Sequence, residues 1–177
     1  MPKPLVLNST PLIYLTRVSL TTLFTNLNED KITTSKVYHE VVVQGKKKGS
    51  PEALLLEKLF KKKMLIIHEP TNKEFMKTLV DVAANLERQP LHEAEAEVLA
   101  VANEVKGVAI IDDKVARSVA SLFGIETHGS GYVLGKMYST GKMEKETLIP
   151  KVKEMRDQGW YISGEDYLDI IKHLEAL

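Results

Sequence analysis

The 177-residue chain contains no cysteine. That absence removes disulfides, thiolate metal sites and cysteine nucleophiles together, and it accords with a reducing interior. Net charge is lacking too. The 24 Lys and Arg balance 24 Asp and Glu, so no global field draws in nucleic acid or an anionic membrane, and any phosphate binding has to be local. Long apolar runs are missing: the opening MPKPLVLNSTP has no signal-peptide core, and nothing later approaches the roughly eighteen uninterrupted apolar residues of a membrane span. We therefore expect a soluble, intracellular and cytoplasmic chain with no membrane partner. No repeat, low-complexity tract or linker divides it, and its length suits one domain over residues 1–177.

What is present is organised around VAIIDDKVARSVASLFG, Val108 to Gly124. Val108 to Ile111 is an apolar run too short for a helix and suited to a strand buried on both faces. Asp112 and Asp113 end it. Val115, Ala116, Val119, Ala120, Leu122 and Phe123 then recur at helical spacing, and Gly124 sits where a helix closes in a left-handed turn. Ligands bind at the carboxyl ends of strands in open α/β sheets, so an acidic pair there is a candidate site. Helix capping is the alternative use of Asp, and it accounts for one of the two.

The same strand-then-polar pattern opens the chain. Leu5–Leu7 reads as a strand ending in Asn8, Ser9 and Thr10, with Thr10 and Pro11 read as N-cap and first helical residue. A short helix over Ser19–Leu27 and a weak strand at Ile32–Thr34 follow, and Ser35 is read as capping a helix that carries Glu40, whose alternative is a solvated helix residue. Gln44–Glu52, with three consecutive Lys, reads as a loop, either phosphate-binding or plainly solvated. Leu54–Phe60 reads as a helix, Met64–Ile67 as a strand and Asn72–Leu86 as a helix. In the next helix, Leu91–Val105, Glu95 falls on the apolar stripe of Leu91, Val98, Leu99, Ala102 and Val105, while Glu93 and Glu97 point elsewhere. A buried carboxylate asks for a partner or a metal, unless Glu95 lies at the stripe's edge and reaches solvent. His92 is read as surface.

Ile125–Thr127 reads as a further strand, and His128-Gly129-Ser130-Gly131 opens the helix Tyr132–Tyr138, either as an anion-binding turn or as an ordinary one. Helices near Glu144–Arg156 and Gly164–Leu177 close the chain. Trp160, Tyr161 and Ile162 between them look like core or a subunit contact, not a site. Helices alternating with four or five short strands give a three-layer α/β fold with a central, mostly parallel sheet, in which Asn8 and Asp112-Asp113 face each other at neighbouring strand ends.

Asn8, Glu40, Glu95, Asp112 and Asp113 are then the oddly placed oxygen ligands. Carboxylates that converge without a basic partner repel unless a hard cation holds them, and Mg²⁺ or Mn²⁺ suits all-oxygen sites that also meet phosphates. The chemistry expected is metal-assisted phosphodiester hydrolysis. A receiver-type phosphotransfer domain, another Mg²⁺-using α/β class, expects a lone Asp after the third strand, where His68-Glu69-Pro70 stands instead.

Four blocks in order resemble the PIN-domain nucleases, in particular the PIN-like branch found beside toxin-antitoxin loci, over nearly the whole chain: LVLNSTPLIYL, SKVYHEVV, LHEAEAEVLAVA and IIDDKVAR, followed by GIETHGSGYVLGKMYSTGKM and GWYIS. The resemblance implies a PIN-like fold and a metal-dependent endoribonuclease of single-stranded RNA, with Glu40, Glu95, Asp112 and Asp113 catalytic and Asn8, Glu40, Glu95 and Asp113 holding Mg²⁺ or Mn²⁺. Thr10 takes the small-hydroxyl position, and Lys114, Arg117 and Ser130 join it as substrate contacts; for Lys114 and Arg117 a solvated helix face is the alternative. A homodimer contact through the helices from about residue 143, and an antitoxin protein over the acidic pocket, follow from the same resemblance. Two positions depart from the pattern. Asn8 replaces the usual Asp, so one ion rather than two is expected, and Ala94 stands where Gly is common. A PIN-like nucleic-acid- or protein-binding module with weak or lost catalysis is the alternative function.

Overall fold

Pro4 is followed at once by three apolar residues, and these form β1 (Leu5–Leu7), the middle strand of a five-stranded sheet. The computed structural model describes residues 1–177. From β1 the chain runs through α1 (Ser9–Arg17) and α2 (Thr21–Thr25) to β2 (Lys31–Thr33), then through α3 (Ser35–Tyr38), a π-helical segment (His39–Gln44), α4 (Gly45–Lys47) and α5 (Glu52–Lys61) to β3 (Ile66–Ile67). Next come α6 (Lys73–Val82), a second π-helical segment (Ala83–Glu87), α7 (Glu93–Glu104), β4 (Val108–Ile110), α8 (Lys114–Leu122) and β5 (Thr127–His128). The chain closes with α9 (Ser130–Ser139), α10 (Lys145–Asp157) and α11 (Gly164–Glu175). None of these helices is long and apolar enough to cross a membrane.

All strand pairings are parallel, in the order β3-β2-β1-β4-β5. Every residue of β1 and β4 is buried, as a parallel strand with helices on both faces requires. The chain leaves β1 toward β2 on one side and returns to β4 on the other. The switch in strand order therefore falls between β1 and β4, where Leu7 pairs with Ile110, and the crevice at such a switch is the ligand-binding position of open α/β sheets.

One apolar cluster of 41 buried residues reaches from β1 to Leu148, Val152 and Met155 of α10, Trp160, and Leu174 of α11, so the C-terminal helices share the core of the sheet. Close approach of α9 and α11 depends on Gly131, where an added Cβ would lie 3.0 Å from the Ile170 side chain. Gly124 has φ +67°, the left-handed turn that ends α8.

Several elements differ from the sequence reading. The Gln44–Glu52 loop is largely helical: α4 occupies Gly45–Lys47 and α5 begins at Glu52, leaving four connecting residues. β3 is only Ile66–Ile67 and is exposed, since it lies at the sheet edge. β5 starts two residues later than expected, at Thr127. Asn8, not Thr10, is the N-cap of α1.

Candidate active site

Backbone bonds tie three strand ends together at the switch. The Asn8 N–H donates to the Ile110 carbonyl (3.0 Å) and the Ile111 N–H to the His128 carbonyl (2.8 Å). The loops after β1, β4 and β5 are thereby locked side by side. Asn8, Thr10, Glu95, Asp112, Asp113 and Lys114 line one cleft of about 330 Å³ there. These are most of the residues singled out in the sequence.

The two adjacent Asp have different tasks. Asp112 accepts at Oδ1 from the Ser130 amide (2.7 Å), and at Oδ2 from the Ser130 hydroxyl (2.7 Å) and the Trp160 indole N–H (3.0 Å). Both oxygens are engaged, so Asp112 braces the loop into α9. Gly129 is needed for this approach: a Cβ there would stand 2.9 Å from Asp112 Oδ1. Asp113 is the N-cap of α8, with Oδ1 accepting from the Ala116 amide at 2.8 Å, while Oδ2 has no protein partner. Capping and an open oxygen thus coexist in one carboxylate.

Glu95 lies in the first turn of α7, where Oε2 accepts from the His92 amide at 2.9 Å and Oε1 has no partner. Burial raises its proton affinity above the ordinary Glu range; the His92 amide opposes this, and the charges of Asp113 and Glu40 push it further up. It is a half-buried anion among anions. Asn8 is 7% exposed, and its side-chain amide makes no bond to the protein although it lines the cleft.

Glu40 stands apart from this group. It is exposed in the π-helical segment after α3, accepts from the buried Ser9 hydroxyl at 2.6 Å, and lines a neighbouring depression with His39 and Lys48. Its charge is felt at Glu95, but it does not line the same cleft, so of the four ligands expected from the sequence Asn8, Glu95 and Asp113 share the cleft and Glu40 stands beside it. Ser130 does not line the cleft either: it is wholly buried and its hydroxyl serves Asp112. Lys114 and Arg117 lie on the first turns of α8 and face Asp166 of α11 at 3.3 and 4.0 Å. Burial alone would raise Asp166, yet the Ser163 hydroxyl and these two cations hold it below the usual carboxylate range.

Glu97 reverses its expectation. Far from pointing away from the core, it is 3% exposed, with Oε2 buried and unpartnered. Trp160, read as core or a subunit contact and not a site, holds a cleft carboxylate. Its signal in the sequence was being the lone tryptophan of the chain; Asp166, inside an ordinary amphipathic helix, gave none. Ser9, adjacent to Asn8, was legible in principle.

No three acidic or histidine side chains form a ready-made metal cage. The donor set nonetheless fits one hard cation. Glu95, Asp113 and Asn8 line one cleft, each with a side-chain oxygen that accepts no bond from the protein, and Mg²⁺ commonly takes one or two carboxylates and completes its shell with water and substrate phosphate.

A family model described as a PIN domain matches residues 4–176. No curated protein matches the chain.

Proposed function

We propose, since this chain belongs to the PIN-domain family and so has a nuclease-type fold, that it is a metal-dependent endoribonuclease that hydrolyses single-stranded RNA. The observation carrying this is Glu95: a half-buried carboxylate whose proton affinity is raised by burial and by Asp113 and Glu40. A cleft with four carboxylates against one lysine at a topological switch point is chemically suited to a cation that also meets phosphate.

Asn8, Glu95 and Asp113 would hold one Mg²⁺ or Mn²⁺, which when bound supplies charge neutralisation at phosphorus and a more acidic water. The protein's own groups do the rest. Asp113 is fixed by its cap to α8, and Glu95 by the His92 amide, so one oxygen of each is anchored and the other is left free for the cation. Asp112, held by Ser130 and Trp160, keeps the loops after β4 and β5 in register. Glu40, oriented by Ser9, adds negative potential at the cleft's flank. Lys114 exchanges Asp166 for a substrate phosphate, Arg117 beside it on α8 is a further substrate contact, and Thr10 presents a hydroxyl at the cleft wall. An inhibitor of the antitoxin class would cover this cleft, and a second copy of the chain would pair through the C-terminal helices.

The test is cleavage of labelled single-stranded RNA in Mn²⁺ by the unaltered chain and by Asp113→Asn. Cleavage by the first and a loss of about a hundredfold or more in the second is expected; equal rates end the reading. A second reading, a binding module with little catalysis, is favoured by Asn8 in the first acidic position and by the lack of a three-carboxylate cage. Thermal shift with Mn²⁺ separates the two, because binding to the native state raises stability and a degenerate module shows no shift.

A further inference from the structure

Beside the acidic cleft lies a second, larger cavity of about 530 Å³ between the loop before α9, α8 and α11. The two adjoin, because Asp112, Ile162 and Asp166 line both. Its size is that of a small-molecule site. Its lining is more apolar than the cleft's: Ile162, Ile170 and Tyr132 supply apolar surface, while Arg117 stands among the carboxylates Asp112, Asp166 and Asp169, with His128 and His173 completing the lining. The Asp169 carboxylate has no hydrogen bond or ion pair in the protein, unlike Asp166, which holds Ser163 and Lys114. Gly129 leaves part of the wall bare, since a Cβ there would come within 3.3 Å of Arg117 Nη1. Tyr132 stacks parallel on His128 at 4.0 Å, with Lys136 Nζ 5.7 Å from its ring centroid, so the apolar surface open to a ligand face is chiefly that of Ile162 and Ile170.

Unstacked bases of single-stranded RNA are recognised by packing their faces on apolar or aromatic side chains and bonding their edges. A carboxylate accepts only, and a guanidinium donates only. Guanine alone among the four bases carries two adjacent N–H donors, at N1 and N2, for a carboxylate, and two adjacent acceptors, O6 and N7, for an Arg fork. We propose that the cavity is a guanine-binding subsite, taking the base next to the phosphodiester in the acidic cleft, with Asp169 accepting from the N1 and N2 hydrogens and Arg117 donating to O6 and N7. The inference rests on the RNA-cleaving reading for its placement beside the scissile bond, but the binding chemistry is independent of catalysis.

The experiment is calorimetric titration of the full chain, in EDTA, with the 5′-monophosphates of guanosine, adenosine, cytidine and uridine. The guanosine nucleotide is expected to bind about tenfold tighter than the others, the discrimination of one good bidentate pair. Asp169 is exposed on α11, so Asp169→Asn leaves the fold intact. It should lose that preference and instead take xanthosine 5′-monophosphate, whose C2 carbonyl accepts from the new amide. Equal binding of all four nucleotides, or a guanosine preference unchanged in Asp169→Asn, overturns the subsite. Mapped RNA cleavage keeps the two readings apart: guanosine preference without cleavage supports the subsite and removes only the nuclease reading, whereas cleavage indifferent to guanine at either neighbour overturns the subsite and leaves the nuclease.

Discussion

Asn8 sets the charge of the cleft. It occupies a buried position with an unbonded amide next to two carboxylates that already repel each other. Asn8→Asp adds a third charge to that small volume. In EDTA this variant is expected to lose on the order of 1 kcal/mol from like-charge repulsion, roughly 2–4 °C in a chain of this length. Its Mn²⁺-induced thermal shift should exceed that of the unaltered chain, and a smaller shift would mean that Asn8 does not face the cation. Glu95→Gln runs the other way: the isosteric amide removes the desolvated charge, so the metal-free protein becomes more stable while its response to Mn²⁺ shrinks. Trp160→Phe tests the brace. It deprives Asp112 of one of its side-chain donors, and an under-satisfied half-buried carboxylate costs about 1–3 kcal/mol. RNA cleavage should fall with it, because the loops after β4 and β5 lose their tie.

At the scale of elements, a single carboxylate fixes the turn that leads into α6, whose own apolar face (Met76, Leu79) packs into the core. Glu104, at the end of α7, accepts from the backbone amides of Thr71 and Asn72 at 2.9 and 3.0 Å, immediately before α6. Burial would raise its pKa, but the two amides, with help from His68, hold it below the ordinary Glu value. A carboxyl depressed in the folded state stabilises the fold above its unfolded pKa of 4.5, and that contribution is lost as pH falls through the lower, folded pKa. Glu104→Gln is therefore expected to melt lower than the unaltered chain at neutral pH, with the gap closing in strong acid. A gap independent of pH would show that neutral hydrogen bonding, not charge, fixes the turn before α6. The same helices show where sequence patterns succeed and fail. Two-sided burial of β1 and β4 was legible because their residues are apolar without alternation, and the left-handed turn at Gly124 because glycine alone adopts it freely. In α7 the pattern misled: residues Ala96 to Ala102 are all buried, so no stripe separates an inner Glu from an outer one, and Glu97 rather than Glu95 proved the more enclosed. Asn8, Glu95 and Asp113 were brought together as their positions at strand and helix ends imply. Glu40 lines the neighbouring depression, where it accepts from Ser9, the residue after Asn8. The tie from Trp160 to Asp112 spans 48 residues, and no local periodicity reports a contact of that kind.

For the whole molecule, balanced charge decides how RNA should arrive. With net charge zero there is little long-range steering, and the two cations nearest the cleft, Lys114 and Arg117, already face Asp166. With Arg117 turned to the base, the one phosphate contact from Lys114 releases few counterions: at roughly 0.7 per contact for a single strand, the slope of log K against log salt should be only about −0.7. Fluorescence anisotropy of a labelled oligonucleotide in EDTA, across a salt series, measures it. Asp166→Asn removes the competing anion without altering either cation, so it should tighten binding several-fold while leaving the slope near the same value. The lysine runs Lys46–Lys48 and Lys61–Lys63 provide the contrast. Lys46 and Lys61 are paired with Glu57, but the others project into solvent, and a strand laid across them would neutralise several more phosphates. A slope steeper than about −3 would place the RNA on that lysine face and remove Lys114 and Arg117 from substrate binding.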